Sequence, residues 1–135
     1  MIYVDTSALV KLIRTEAETS SFQQFLLDNS HEMHATSALG IVEIHRVAMR
    51  IGAAARMRAF EVAEAFGTLA LTPSILARAA AAEPANLRTL DAIHLSTALL
   101  TEASLLVTYD KRMTESARLY GLSVASPGAA DEPLR

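Results

Sequence analysis

The sequence predicts an α/β sandwich with a mostly parallel central sheet flanked by helices. Three observations carry that expectation. Short apolar runs of β-formers alternate with amphipathic helical patterns along the whole chain. The composition is 51% hydrophobic but only 5% aromatic, with no tryptophan, and alanine and leucine dominate the apolar share. Such residues suit close-packed helices. The length, 135 residues, is that of one domain, able to bury roughly two thirds of the surface its unfolded chain exposes.

The elements follow in order. Ile2-Tyr3-Val4 is an apolar run of β-formers that stops at Asp5, and reads as a buried strand. Thr6-Ser7 is expected to cap a helix through Leu9, Val10, Leu12 and Ile13. A second helix spans about 19 to 27, with Phe22, Phe25 and Leu26 on one face, and Asp28-Asn29-Ser30 breaks it. Met33 to Thr36 is a weak strand candidate. Ser37 or Thr36 then caps a helix carrying Leu39, Val42, Ile44 and Val47, with Gly52 near its end. Residues 53 to 66 make an alanine-rich helix, and Leu69-Ala70-Leu71 a short strand. Pro73 suits the first turn of a helix across Ile75, Leu76 and Ala79, which the alanine run and Pro84 end. Thr89 opens a helix containing Ile93, Leu95 and Leu99. Leu105 to Thr108 is the clearest strand of the second half. A last helix over about 112 to 119 stops at Gly121, and Leu122 to Ala125 is a final strand. Residues 126–135, with Pro127, Gly128, Asp131, Glu132 and Pro133, have little to bury and are expected to form a mobile tail. No repeat of fixed period is present.

Several function classes fall away. The chain has no cysteine, which excludes disulfide staples, zinc-thiolate sites and thiol nucleophiles. No apolar run reaches the length of about 18 residues that a membrane span needs. Met1 to Asp5 has no basic n-region, so no signal peptide is expected and the cytoplasm is the default location. The net charge is −3. Taken alone, it argues against a nucleic-acid partner.

In open parallel sheets, ligands bind beyond the carboxyl ends of the strands. Asp5 and Asp110 stand there, after Ile2 to Val4 and Leu105 to Tyr109. A lone acid after a strand is ordinarily a helix cap. Glu43 and Asp91 interrupt helices on or near their apolar faces. Ordinarily, Asp91 would serve the first helical turn and Glu43 would pair with Arg46 or Arg50. Four such acids are harder to explain one at a time. Two carboxylates about 4 Å apart repel by about 4 kcal/mol at an effective dielectric of 20, so a cluster of four needs a cation. Oxygen-only ligands point to a hard divalent ion, Mg²⁺ or Mn²⁺, and hence to metal-assisted phosphodiester hydrolysis.

At four places the chain resembles a known family. Met1 to Leu12, MIYVDTSALVKL, resembles the opening of a PIN-domain ribonuclease of the VapC toxin type. Thr36 to Glu43 resembles that family's second acidic block, Thr89 to Leu95 its third, and Leu106 to Met113 its fourth, with order and spacing in register. The resemblance covers residues 1–125. It implies a PIN-like three-layer sandwich in which Asp5, Glu43, Asp91 and Asp110 are both the catalytic residues and the ligands of Mg²⁺ or Mn²⁺. It implies endonucleolytic RNA cleavage that leaves a 5′-phosphate and a 3′-hydroxyl. Thr6, Ser7 and Thr108 would orient the carboxylates or a bound water. The family typically dimerises and is neutralised by a small VapB-type antitoxin. Gly40, inside a helix, suggests close packing against a neighbouring element.

Other residues compete for roles. His94 lies three after Asp91, but a hard cation prefers oxygen, so a hydrogen-bonding role within the fold is expected of it. His45 lies two after Glu43, and its role is left open. His31 and His34 read as surface residues. Lys11, Arg14, Arg46, Arg50, Lys111 and Arg112 would ring the pocket if the acids converge, and could hold RNA phosphates. Tyr3 and Tyr109 are the only aromatic rings near the acids, and Tyr3 reads as core. Met57, Phe60, Val62 and Phe66 could be core or an interface with an antitoxin or second subunit. Two other functions fit less well: a non-catalytic PIN-like module binding RNA or protein, and a phosphatase with Asp5 as nucleophile, which lacks a second acid at Ser7. Setting the four acids aside leaves twelve basic residues against eleven acidic ones, so the net charge does not exclude RNA.

Overall fold

The computed structural model describes residues 1–130. Its elements, in chain order, are β1 (Ile2–Val4), α1 (Thr6–Ile13), α2 (Thr19–Asp28), β2 (His34–Ser37), α3 (Ala38–Ile51), α4 (Ala53–Ala65), β3 (Gly67–Leu69), α5 (Pro73–Ala80), α6 (Thr89–Leu100), β4 (Leu105–Val107), α7 (Lys111–Leu119) and β5 (Val124–Ala125). The strands form one sheet in the order β3-β2-β1-β4-β5, and every pairing is parallel. This is the α/β class expected from the alternation of elements.

Side chains alternate faces along a strand, and β1 shows what that does to the layers. Ile2 and Val4 pack into one core with Leu9, Ile13, Phe22, Ile44 and Phe66, drawn from α1, α2, α3 and the end of α4. Tyr3, between them, points to the opposite core with Leu95, Leu106, Met113 and Leu122, drawn from α6, β4, α7 and the approach to β5. Three layers result, helices on both faces of a fully buried central strand. α5 packs on α6. Gly52 joins α3 to α4 at φ +148°, a conformation that a Cβ would strain.

The sequence and the structure differ at a few elements. α1 is capped by Asp5, which accepts from the Ala8 amide, rather than by Thr6 or Ser7. β3 starts at Gly67, two residues before the expected 69–71 run. Its position is set by pairing with β2 (Ala35 with Gly67, Ser37 with Leu69). Gly67 and Leu69 are only half-buried and Thr68 is exposed, so apolar content marks this strand poorly. His34 is not a surface residue: it opens β2, is half-buried, and its Nε2 lies 3.0 Å from the Asn29 carbonyl. His31 is exposed, as expected.

Beyond β5, Ser126 and Pro127 are buried. The Ser126 hydroxyl donates to the Thr108 carbonyl at 2.6 Å, and the Pro127 carbonyl accepts from the Tyr109 hydroxyl at 2.7 Å. The expected tail therefore has something to bury at its first two residues. Asp131, Glu132 and Pro133 lie outside the described residues. Among the described residues, no helix is long and apolar enough to cross a membrane.

Candidate active site

Chain direction across the sheet reverses between β1 and β4. From β1 the chain steps outward to β2 and β3, and later returns to β4 and β5 on the other side. At such a switch point, the two connections leave in opposite directions and open a crevice at the carboxyl ends of the strands. Asp5 follows β1 at this crevice, and Thr108 to Asp110 follow β4. Glu43 arrives on α3 and Asp91 in the first turn of α6.

Asp5 is only 3% exposed. Its Oδ2 accepts from the Thr108 hydroxyl at 2.5 Å, and its Oδ1 from the Ser7 hydroxyl at 2.6 Å and the Ala8 amide at 3.2 Å. The hydroxyls also accept, Ser7 from the Tyr109 amide at 2.9 Å and Thr108 from the Asp110 amide at 3.1 Å. The ends of β1 and β4 are thus laced together through Ser7 and Thr108. Burial raises the Asp5 carboxyl above the usual carboxylate range, against the opposing pull of the nearby His94 and of these hydrogen bonds.

Glu43 is held by residues from two other elements. Thr6 donates its hydroxyl to Oε1 at 2.8 Å, and His94 Nε2 lies 2.7 Å from the same oxygen. An ionised carboxylate only accepts, so Nε2 carries the proton. Burial would raise the Glu43 carboxyl, but the hydrogen bond and charge of His94, with the Thr6 hydroxyl, hold it below its usual value. His94 is itself buried, with Nδ1 hydrogen-bonded to the Tyr3 hydroxyl at 2.7 Å. Burial, then the Asp5 charge, push the Tyr3 phenol well up, so it stays protonated. Gly40 explains how α3 comes so close: a Cβ there would lie 2.5 Å from Thr36 Oγ1 and 3.3 Å from His94 Cε1. The close packing expected of this glycine is present. The ordinary alternative for Glu43, a pairing with Arg46 or Arg50, is not seen: its carboxylate is held by Thr6 and His94.

Asp91 and Asp110 share one cation. Arg88 Nε donates to Asp91 Oδ2 at 3.0 Å, and its Nη2 to Asp110 Oδ2 at 2.6 Å. The hydrogen bond to Asp91 and the two carboxylate charges raise the Arg88 pKa further. Asp110 Oδ1 meanwhile caps α7, accepting from the Arg112 and Met113 amides at 2.9 and 3.1 Å. Asp5 and Asp110 are therefore helix caps as well as crevice acids, and Asp91 lies in a first turn.

Hydrogen bonds and short stretches of backbone link the four acidic residues: Glu43 to Thr6 beside Asp5, the Asp5 carboxylate through the Thr108 hydroxyl to the Asp110 amide, and the Asp110 carboxylate through Arg88 to Asp91. Among the described residues no three acids or histidines stand ready to hold a metal ion. Each carboxylate instead accepts from a donor of the protein. The donor chemistry nonetheless fits Mg²⁺ or Mn²⁺, being hard oxygen throughout. A positive group, the Arg88 guanidinium, already bridges two of these acids.

The family model described as "PIN domain" matches residues 2–119. The chain is 42% identical over 134 residues to ribonuclease VapC47 of Mycobacterium tuberculosis, covering 96% of this chain and 98% of that one.

The chain belongs to the PIN-domain family, among the VapC-type proteins.

Ribonuclease VapC35 of the same organism is 38% identical, with 96% and 99% covered. Among solved structures, a toxin-antitoxin complex from Klebsiella pneumoniae superposes with a TM-score of 0.74 at 23% identity, covering 94% of this chain and 98% of that one. That likeness is one of fold.

In this PIN domain the basic rim is smaller than the sequence suggested. Lys11 is buried, with Nζ 2.8 Å from Glu18 and 3.3 Å from Glu16, and lies 4.3 Å from the Tyr109 ring centroid. Its stem lies along apolar surface, and its charge is taken by α1–α2 contacts. It is not a rim residue. Arg14 pairs with Glu16 at 3.2 Å. Arg46, Arg50, Lys111 and Arg112 are exposed. Tyr109 is half-buried, with its hydroxyl bonded and its ring against Phe22, so it offers no open stacking face.

On α4, Val62 and Phe66 are core, whereas Met57 and Phe60 are exposed, with Phe60 edge-on to His45 at 4.8 Å. The structure thus splits that helix between the two readings. His94 makes its hydrogen bonds within the fold, as expected. Sequence reasoning missed Arg88; the signal available was a basic residue three positions before Asp91. A phosphatase nucleophile is a poor description of Asp5, because both its oxygens are buried and hydrogen-bonded.

Proposed function

We propose that this PIN-domain protein is an endoribonuclease toxin of the VapC type, neutralised by a VapB-type antitoxin, and that its hydrolysis depends on Mg²⁺ or Mn²⁺. The observation that carries the reading is the gathering of Asp5, Asp91 and Asp110 by hydrogen bonds through Thr108 and Arg88, with Glu43 held by Thr6 next to Asp5, at the switch point of the sheet. The 42% identity to a ribonuclease over nearly the whole chain supports the same activity.

Asp5, Glu43, Asp91 and Asp110 would hold the divalent ion. When bound, such an ion lowers the pKa of water and stabilises charge on the phosphoryl group. Thr108 and Ser7 fix both oxygens of Asp5, so its carboxylate meets a ligand in one orientation. His94 and Thr6 do the same for Glu43. The exposed Arg46, Lys111 and Arg112 would hold the RNA backbone. The products would carry a 5′-phosphate and a 3′-hydroxyl. The cytoplasm would be the site of this activity, since an RNA substrate and an antitoxin would be met there. The toxin–antitoxin complex of similar fold supports a hetero-oligomer with the antitoxin, and a homodimer is proposed for the toxin alone.

The test is cleavage of a broad RNA panel by the purified protein, with Mn²⁺ and with EDTA, alongside Asp91→Asn. Mn²⁺-stimulated cleavage that Asp91→Asn and EDTA both abolish is expected. No cleavage on any RNA would instead favour a non-catalytic binding module, and cleavage at the native rate by Asp91→Asn would overturn the four-acid site.

A further inference from the structure

Arg88 stands where the proposed chemistry needs a cation. It is the first residue before α6, and its side chain is 63% exposed. Yet its guanidinium donates from two different nitrogens to two carboxylates that lie 19 residues apart in sequence, Asp91 and Asp110. A planar fork suits such a bridge. The carboxylates of Asp91 and Asp110 are no more exposed than that of Glu43, but their donor is: Arg88 is open to solvent, whereas Asp5 and Glu43 are held by buried or half-buried hydroxyls and by the buried His94. Exposed ion pairs are individually weak. Of the side-chain donors that hold the four acids, Arg88 is the most exposed and therefore the easiest to displace.

We propose that Arg88 is an exchangeable cation. It holds Asp91 and Asp110 together in the metal-free protein, gives way to the divalent ion, and then pairs with a phosphate of the RNA backbone. Arg88 and the ion compete for the same carboxylate oxygens, so each lowers the other's occupancy. Two further consequences separate this role from a structural one. Removing Arg88 strengthens metal binding, and it weakens RNA binding. A residue needed only for the fold would weaken both. The inference rests on the proposed metal site.

The experiment is a calorimetric titration of the wild-type chain, Arg88→Gln and Arg88→Lys with Mn²⁺, followed by RNA binding at several salt concentrations. Arg88→Gln is expected to bind Mn²⁺ about tenfold more tightly, a ratio equivalent to about 1.4 kcal/mol. Arg88→Lys should fall between Arg88→Gln and wild type, since an ammonium bridges two acids less well. With Mn²⁺ present, Arg88→Gln should bind RNA more weakly, with a salt slope smaller by about one. As a check without any variant, the Arg88 Nε–H resonance of the wild-type chain should move toward that of free arginine as Mg²⁺ is added. Equal or weaker Mn²⁺ binding by Arg88→Gln, or an unmoved resonance at saturating Mg²⁺, would overturn the exchange. No Mn²⁺ binding by either wild type or Arg88→Gln would instead overturn the metal site itself.

Discussion

His94 Nε2 lies 2.7 Å from Glu43 Oε1, across 51 residues of sequence. The imidazole is 2% exposed and is also tied to Tyr3 on the central strand. One ring thereby fixes helix α3 against α6 and against β1, and sets which way the Glu43 carboxylate points.

Truncating that ring has two effects. His94→Ala leaves the Glu43 carboxylate and the buried Tyr3 hydroxyl without this partner. Glu43 keeps the Thr6 hydroxyl, so the cost is that of two lost hydrogen bonds, about 0.5–1.5 kcal/mol for the neutral one and about 1.5–3 kcal/mol for the one to a charged group. Urea unfolding should show a loss of about 2–4.5 kcal/mol, and RNA cleavage should fall in the same variant. His94→Gln, which keeps a donor near Glu43, should recover part of the stability.

Asp5 sets a trade between stability and activity. Its carboxyl is raised by burial, so the folded chain binds this proton more readily than the unfolded chain. The stability linked to it is full below the usual carboxylate range and is lost as pH rises through the raised value. In the absence of metal, Asp5→Asn should be at least as heat-stable as wild type at neutral pH, with a flatter pH profile of melting temperature. Its RNA cleavage should be abolished. A variant that melts well below wild type at neutral pH would contradict this account.

Gly40 is the point of closest approach between α3 and its neighbours. Gly40→Ala gains up to about 1 kcal/mol of helix propensity. It also forces a methyl against Thr36, which is fully buried, and against the His94 ring. Overpacking of this kind costs about 1–3 kcal/mol. Denaturant titration should show a net loss of stability, and cleavage should drop because the Glu43–His94 pair is displaced.

Lys11 and the exposed arginines should separate cleanly. Arg46→Ala with Arg112→Ala is expected to weaken RNA binding and to reduce its salt slope by about two, with the melting temperature little changed. Lys11→Met should do the reverse: its charge is engaged with Glu18 and Glu16 and lies against Tyr109. It should lower thermal stability while RNA affinity stays near wild type.

The positions of the acids were legible from local pattern. Asp5 and Asp110 end apolar runs that could only be buried strands, and Ser37, Thr72 and Pro73 mark their helix starts in the ordinary way. Helical periodicity placed Glu43 and Asp91 near apolar faces. Those features depend on residues a few positions apart, which a sequence displays directly. The strand at 67–69 was less legible, because an edge strand takes its register from a partner 32 residues earlier.

Local pattern therefore carried an α/β sheet, acids after two of its strands, one in the first turn of α6 and one within α3, and a charge balance compatible with RNA. Only the tertiary structure decided what each acid touches. The bond from Thr108 to Asp5 spans 103 residues, that from His94 to Glu43 spans 51, and that from Arg88 to Asp110 spans 22. Lys11 was likewise drawn inward by α2 and by Tyr109, which its own helix pattern does not record. Periodicity states which face of an element is apolar. Which polar groups meet behind that face is fixed by strand order, here by the reversal between β1 and β4 that opens the crevice.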